Sequence, residues 1–221
     1  MKLSPTRRPS AIRTLVAATL CALAAPVVYA AAPPAAPAPA INPQVEQAVG
    51  ALRAITTLQA DFIQTDRNGQ RLTGVLSMQR PGKIRFQYQP GIPLLIVSDG
   101  AALTLIDYEV RQVQRWPIRN SPLGALLDPN KDVARFATIN PTGHADVISI
   151  DVRDPRHPEY GSITMIMLRK PSAPGGWELN SWVALDSQNR RTTVRLTNQR
   201  YGVALPSNIF RWNDPRGAGR K

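Results

Sequence analysis

A helical pattern of apolar residues opens the ordered part of the chain. Apolar side chains recur at Val45, Ala48, Val49, Leu52 and Ile55, a three-to-four residue spacing that places them on one face of a helix. The residues just before this pattern are Asn and Pro, which are favoured at the N-cap and at the first helical position. The sequence therefore predicts a helix from residue 43 that ends at the threonines at 56 and 57.

After this helix the pattern changes to a period of two. Ile84, Phe86 and Tyr88 alternate with polar neighbours, as in a strand with one buried face. Asn-Gly at 68–69 and Asp-Gly at 99–100 are strong hairpin turns. The connections are too short for parallel crossovers, so the sheet must be antiparallel, and a sheet this long curls or closes. The predicted strands are 58–67, 71–79, 83–88, 94–98, 103–107, 112–117, 136–140, 145–152, 162–169, 177–185 and 192–198.

Several of these strands are apolar on both faces, most clearly at 162–168, SITMIML. A single sheet would leave one such face in water, so the sequence requires a cover on one side and contents on the other. The helix from residue 43 and a short apolar segment at 122–127, PLGALL, are the predicted covers.

The N-terminus has the three parts of a secretory signal peptide. Four basic residues come first, an apolar run follows from Thr14 to Ala25, and small residues precede a cleavage site after Ala30. About a dozen apolar residues are too few to span a bilayer, which argues against a retained anchor. Pro9 directly after Arg7-Arg8 argues against a twin-arginine signal. The predicted organisation is a signal peptide at 1–30, a flexible Ala/Pro linker at 31–41, one β-domain at 42–213 and a C-terminal tail at 214–221, with the protein acting outside the cytoplasm.

Export changes how the composition is interpreted. The signal contains the chain's one cysteine, Cys21, which lies inside the apolar run and lacks a lipobox, so the exported chain is held together by its core. The signal also removes four basic residues, which lowers the net charge from +12 to +8. Export makes nucleic acid an unexpected partner. Anionic lipid, an acidic partner, or merely solvated strand faces all remain compatible with this charge.

The sequence contains no recognisable catalytic constellation. His144 and His157 are thirteen residues apart, with no further ligand at metal-binding spacing, and no nucleophile, zinc or phosphate-loop motif is present. Asp151 and Asp154 are a weak signal for calcium. We therefore expect a binding protein rather than an enzyme, with no catalytic residues, no metal and no cofactor.

An ordered set of segments resembles the LolA family of periplasmic lipoprotein carriers. The resemblance is carried by LQADFIQT at 58–65, RPGKIRFQY at 80–88 and PLLIVSDG at 93–100, followed by TLIDY at 104–108, QV at 112–113 and SPL at 121–123. It covers most of the chain after the signal and is strongest before residue 130. Phe86 stands where the family often has a tryptophan.

The resemblance implies a mainly β (α+β) fold, an unclosed antiparallel β-barrel of about eleven strands with helices as a lid. An apolar cavity between sheet and lid would take the acyl chains of lipoproteins. The family's lid-gating arginine corresponds to Arg80, which would bond to the lid and favour the closed state. The expected cavity residues are Phe62, Leu76, Ile84, Phe86, Ile96, Leu105, Leu123, Leu126, Leu127, Met165 and Met167.

The function implied is that of a chaperone that carries lipoproteins from the inner to the outer membrane. Expected partners are acylated lipoproteins, the inner-membrane lipoprotein-releasing complex, and an outer-membrane acceptor or the membrane itself, with the carrier as a monomer. Two alternatives stay open at this point. One is a regulatory sensor of lipid or lipoprotein on the same fold, and the other is a small periplasmic hydrolase, which would show convergent carboxylates in a polar cavity.

Overall fold

The computed structural model describes residues 42–118 and 136–217. The predicted signal peptide, linker and short segment at 122–127 lie outside the described residues, as do the last four residues of the predicted tail. No helix in the described ranges is long and apolar enough to cross a membrane.

Helix α1 spans Pro43–Ala54 and begins as its sequence predicts. The Asn42 side chain accepts a hydrogen bond from the backbone N–H of Gln44 at 2.9 Å, which satisfies one of the free donors of the first turn. Val45, Ala48, Val49, Ala51 and Leu52 form its buried face.

The eleven strands of the described residues are β1 Thr57–Thr65, β2 Arg71–Gln79, β3 Lys83–Tyr88, β4 Leu94–Asp99, β5 Ala102–Asp107, β6 Gln112–Pro117, β7 Ala137–Asn140, β8 Val147–Val152, β9 Ser162–Arg169, β10 Trp177–Leu185 and β11 Arg191–Tyr201. They form one antiparallel sheet, with β6 and β7 at its edges. Strands pair with their sequence neighbours within β1 to β6 and within β7 to β11. Pairing of β1 with β11 joins these two halves in the order β6-β5-β4-β3-β2-β1-β11-β10-β9-β8-β7. This is the unclosed antiparallel barrel that was expected.

The main core lies between the inner face of the sheet and α1, and it contains side chains from both halves of the sheet. On β9, Ile163, Met165 and Met167 alternate inward and are completely buried, while Ile166 and Leu168 face outward and are half-buried. The two-sided apolar pattern of this strand therefore does not require a second layer over its outer face.

A second, smaller core covers the outer face of the other half of the sheet. Leu95, Val97 and Ile106 are buried there beneath Phe210 and Trp212. We name residues 206–213 the C-terminal strap. The strap covers β4 and β5, and it is not one of the two covering segments that the sequence predicted. It could not be predicted because its residues have no periodic pattern of apolar side chains.

The strap is held to β3 by an arginine. One guanidinium nitrogen of Arg85 donates to the carbonyl oxygens of Ile209 at 3.1 Å and Arg211 at 3.0 Å. The ammonium of Lys83 lies 5.9 Å from the centre of the Phe210 ring. The outward-facing basic residues of β3 thus fix the strap in place.

Candidate ligand-binding interior

Strand register places four of the predicted cavity residues, one from each of β2 to β5, in one row across the sheet. Leu76 is opposite Phe86, Phe86 is opposite Ile96, and Ile96 is opposite Leu105. The row begins on β1 at Ala60, which is opposite Leu76. Leu76 and Phe86 are buried, whereas Ile96 and Leu105 are half-buried at the side of the sheet that ends in β6.

The other half of the sheet repeats this arrangement. Val194 on β11 is opposite Trp182 on β10, which is opposite Met165 on β9, and Met165 is opposite Ile150 on β8. Met167 belongs to the adjacent row, opposite Leu179 and Ile148. Both predicted methionines therefore face the interior, where their flexible side chains can adapt to variable apolar shapes.

An aromatic cluster connects the two halves. The Phe62 ring lies 5.3 Å from both Phe86 and Tyr88, and Phe86 lies 6.1 Å from Trp182, all in edge-to-face geometry. Such pairs add about 0.5–1.5 kcal/mol each beyond the area they bury. Gly74 makes room for this cluster, because a Cβ there would come within 2.8 Å of the Phe62 ring.

Two members of this cluster were missed by the sequence analysis. Tyr88 shares the inward alternation of Ile84 and Phe86, so its place could have been predicted from the pattern. Trp182 gives no such signal, because an irregularity in the β9–β10 pairing between Leu179 and Ser181 shifts the alternation by one residue.

The interior is lined by apolar side chains with little polar chemistry. Among residues 42–118 and 136–217 the buried polar side chains are Ser77, Ser98, Thr104 and Ser181, and none of them is charged. The hydroxyl of Tyr88 donates to the side-chain oxygen of Gln64 at 2.8 Å, and burial raises the pKa of Tyr88 to about 12. The hydrolase alternative requires convergent carboxylates, which these buried positions lack.

Helix α1 closes this interior, and Arg80 is bonded to its last turn. The Arg80 side chain donates from Nε to the carbonyl oxygen of Ile55 at 2.9 Å and from Nη2 to that of Leu52 at 2.6 Å. These carbonyls are among the acceptors left free at a helix C-terminus, where a cation is also favoured by the helix dipole. The geometry is a tether between the β2–β3 turn and the helix that covers the interior.

A close backbone approach holds the other side of α1. A Cβ on Gly175 would come within 2.7 Å of the Ala51 Cα. Gly175 also has a positive φ of 67°, which favours glycine. The turn at Pro174–Gly176 therefore fits α1 only with glycine at this position.

Of the remaining predicted cavity residues, one lies in the described part of the chain and three lie outside it. Ile84 is buried on the inner face between Met78 and Ser98, while Leu123, Leu126 and Leu127 lie outside the described residues. Two residues that the sequence analysis considered as metal ligands have other partners. Asp151 accepts a hydrogen bond from Thr164 at 2.8 Å, and His157 is paired with Glu159 at 2.9 Å. Within the described ranges no cluster of three or more His, Cys, Asp or Glu side chains could hold a metal ion.

Comparison with known proteins gives the same family that the sequence resembles. Residues 53–213 match the model of the family described as outer membrane lipoprotein carrier protein LolA. An outer-membrane lipoprotein carrier protein of Dechloromonas aromatica is 30% identical over 79% of this chain and 85% of its own length. The Chromobacterium violaceum protein of the same name is 31% identical over 81% of this chain and 88% of its own.

Among solved structures, a LolA superfamily protein of Nitrosomonas europaea is 10% identical and covers 79% of this chain and 99% of its own, with a TM-score of 0.44. The family model spans well over half of the chain, and relatives of the same name match across most of their length. This chain belongs to the LolA family of outer-membrane lipoprotein carrier proteins.

Proposed function

We propose that this protein binds the acyl chains of lipoproteins between α1 and the inner face of the sheet, and carries them from the inner to the outer membrane. The observation that carries this proposal is the interior itself: apolar side chains from both halves of one curved sheet meet beneath a tethered helix, and no charged side chain is buried among the described residues. Membership of the carrier family supports it.

The energetics explain why such a carrier is needed. An acyl chain of about 15 methylenes costs on the order of 10 kcal/mol to expose to water, at about 0.8 kcal/mol per methylene. Unescorted transfer across an aqueous compartment is therefore negligible. A hollow of aliphatic and aromatic side chains recovers most of this free energy without requiring a specific chemical group, so lipoproteins of different sequence can share one carrier.

The closed lid sets the balance between uptake and release. In the conformation described here the buried face of α1 belongs to the same core as Met165, Leu179 and Trp182, all of which are nearly inaccessible to solvent. Acyl chains can enter only when α1 moves away, which breaks the two bonds from Arg80. The free energy of lid closure is subtracted from the free energy of binding, so the carrier holds its cargo firmly but not irreversibly.

The proposed setting follows from the function. The protein acts in the periplasm as a monomer, receives lipoproteins from an inner-membrane releasing complex, and delivers them to an outer-membrane acceptor or to the membrane itself. The process is binding and transfer, with no bond made or broken, so the proposal includes no catalytic residue and no cofactor.

The test is the formation of a soluble complex. The protein is incubated, without detergent, with a triacylated lipoprotein and the inner-membrane releasing complex, and the mixture is separated by size-exclusion chromatography. We expect co-elution with the acylated lipoprotein, and none with the same protein carrying serine in place of its lipidated cysteine. If no complex forms with the releasing complex present, the proposal is wrong.

Two variants identify the binding face. Leu105→Ser removes an inward-facing side chain that is only half-buried, so it alters the interior with little damage to the core. Val75→Ser is the matched control, because Val75 faces outward on the same sheet and is 38% exposed. We expect about a tenfold loss of acyl-chain affinity for Leu105→Ser, from the loss of part of a buried leucine, and no change for Val75→Ser. Equal losses would place the ligand elsewhere.

A further inference from the structure

Two hairpin turns lie side by side at the same end of the sheet. The turn between β1 and β2 begins at Asp66, whose carboxylate accepts the backbone N–H groups of Asn68 at 2.8 Å and Gln70 at 2.9 Å. The turn between β10 and β11 begins at Asp186, whose carboxylate accepts two backbone N–H groups in the same way. Because β1 pairs with β11, the two turns are neighbours although about 120 residues separate them in the chain.

Register brings the arginines of these hairpins onto one face. Arg71 is opposite Thr65, and Thr65 is opposite Thr193, which has Arg191 and Arg195 two residues away on either side. Residues two apart on a strand share a face, so these three arginines all point outward, away from the buried Val194 and its neighbours. Arg67 in the first turn adds a fourth exposed guanidinium.

The four arginines surround a surface groove of about 590 Å³. Its floor is formed by Ile63, Thr65 and Thr193, and one carboxylate, that of Asp66, lies on its wall. A second groove of about 480 Å³ continues from it and shares Arg67 and Arg191. We name the first of these the basic groove.

The charge of the basic groove is not balanced from within the described chain. The carboxylate of Asp66 is already engaged by two backbone N–H groups, and that of Asp186 is paired with Arg190 at 2.6 Å. The ion pairs of the described residues involve none of the four groove arginines; their basic members are Arg115, Arg156, His157, Arg169, Lys170, Arg190 and Arg216. Four guanidinium groups around one engaged carboxylate attract anions strongly.

The shape of the basic groove distinguishes between anionic partners. It lies in the centre of the sheet, on β2, β1 and β11, where no strand edge is free to pair with a peptide. Ile63, which is half-buried, is the one apolar side chain that lines the basic groove, so this groove has few of the aromatic and aliphatic anchors that dominate protein interfaces. Planar guanidinium groups and threonine hydroxyls, in contrast, match the oxygens of phosphate.

We propose that the basic groove docks the protein onto anionic phospholipid headgroups, and thereby holds the hairpin end of the sheet at a membrane surface. This goes beyond the proposed carrier function and does not depend on it, because it concerns the opposite face of the sheet and requires no acyl cargo. Each arginine next to an anionic surface contributes about a fivefold gain in binding, so two contribute about thirtyfold.

The experiment is sedimentation of the exported protein, from which the predicted signal peptide has been removed, with vesicles of phosphatidylcholine alone or with 30% phosphatidylglycerol, in the absence of lipoprotein. We expect binding to the anionic vesicles at low ionic strength, its loss at 0.5 M salt, and little binding to the neutral ones. Arg71→Gln/Arg195→Gln should weaken anionic binding about thirtyfold. Arg53→Gln/Arg153→Gln, which removes equal charge from exposed positions outside the groove, should weaken it much less.

A charge-conserving pair keeps the result interpretable. Arg71→Lys/Arg195→Lys keeps the charge but not the planar guanidinium groups, so it should bind anionic vesicles more tightly than the glutamine pair and more weakly than the unsubstituted protein. This intermediate binding separates loss of charge from loss of folding. Equal weakening by the groove pair and the Arg53/Arg153 pair would show that only net charge acts, and would overturn the proposal. Equal binding to neutral and anionic vesicles, or binding to poly-glutamate but not to anionic vesicles, would overturn it as well.

Discussion

Replacing Arg80 with leucine should release the end of α1 while leaving the sheet intact. The change removes the guanidinium that donates to the carbonyl oxygens of Leu52 and Ile55, and keeps an apolar side chain at a half-buried position. In the closed state of the variant these two carbonyl oxygens lack their cationic donor. In the open state of both the variant and the unsubstituted protein they accept hydrogen bonds from water. The substitution therefore destabilises the closed state relative to the open one.

The magnitude follows from the two bonds. A hydrogen bond to a charged group contributes about 1.5–3 kcal/mol when buried. Arg80 is half-buried and the carbonyls are hydrated when α1 leaves, so the two bonds together contribute about 2 kcal/mol to lid closure. This corresponds to about a thirtyfold shift toward the open state. Where the closed state dominates, the same factor strengthens the apparent binding of acyl chains, so the variant should hold its cargo more tightly and pass it on more slowly.

Hydrogen exchange measures the lid directly. The backbone amides of α1 should exchange about thirtyfold faster in Arg80→Leu, while those of β1 and β11 keep the protection of the unsubstituted protein. Arg85→Leu is the matched control, because it also removes two bonds from an arginine to carbonyl oxygens, but those of the strap. It should accelerate exchange in residues 206–213 and leave α1 unchanged. Unchanged exchange of α1 in Arg80→Leu, or equal acceleration in α1 and the central strands, would refute this reasoning.

Three further predictions concern packing and pH. Gly175→Ala should lower Tm and accelerate hydrogen exchange in α1, because the new Cβ meets Ala51. Gly176→Ala is the control: residue 176 also has a positive φ, of 76°, but has open space around it, so this variant should lower Tm less. Trp182→Ala should cost about 3–5 kcal/mol in urea unfolding, and a loss below 1 kcal/mol would contradict its central place in the aromatic cluster. Burial raises the pKa of Tyr88 to about 12, so the neutral phenol contributes its full share to the free energy of unfolding below pH 10 and loses it as the pH rises toward 12. Between these pH values Tyr88→Phe should therefore lose less stability than the unsubstituted protein.

Much of the architecture could be predicted because its signals are local. Helix α1 has an N-cap, an N-terminal proline and a helical apolar pattern within 13 residues, and it forms where these predict. The hairpins at Asn68-Gly69 and Asp99-Gly100 are encoded by adjacent residues, with Gly69 and Gly100 in positive-φ conformations. Because the connections between strands are short, neighbouring strands must pair antiparallel. The alternation of side chains along each strand then places Leu76, Phe86 and Met165 on one face of the sheet.

Local alternation fails where the pairing is irregular. Counting in twos from Leu179 places Ser181 inward and Trp182 outward, yet Trp182 is opposite Met165 and packs against Phe86. The shift in β10 arises from its pairing with β9, so no pattern within β10 itself reveals it.

The sequence by itself determined the succession of strands, the helix and the apolar character of the interior. The tertiary structure alone decided which distant residues meet. Arg80 reaches carbonyls 25 and 28 positions earlier, the strap covers β4 and β5 from the far end of the chain, and β1–β11 pairing brings two hairpins of arginines into one groove. The physical reason is that propensity and periodicity act over a few residues. Contacts between remote segments depend on sheet register, which forms only when the whole apolar face is buried at once.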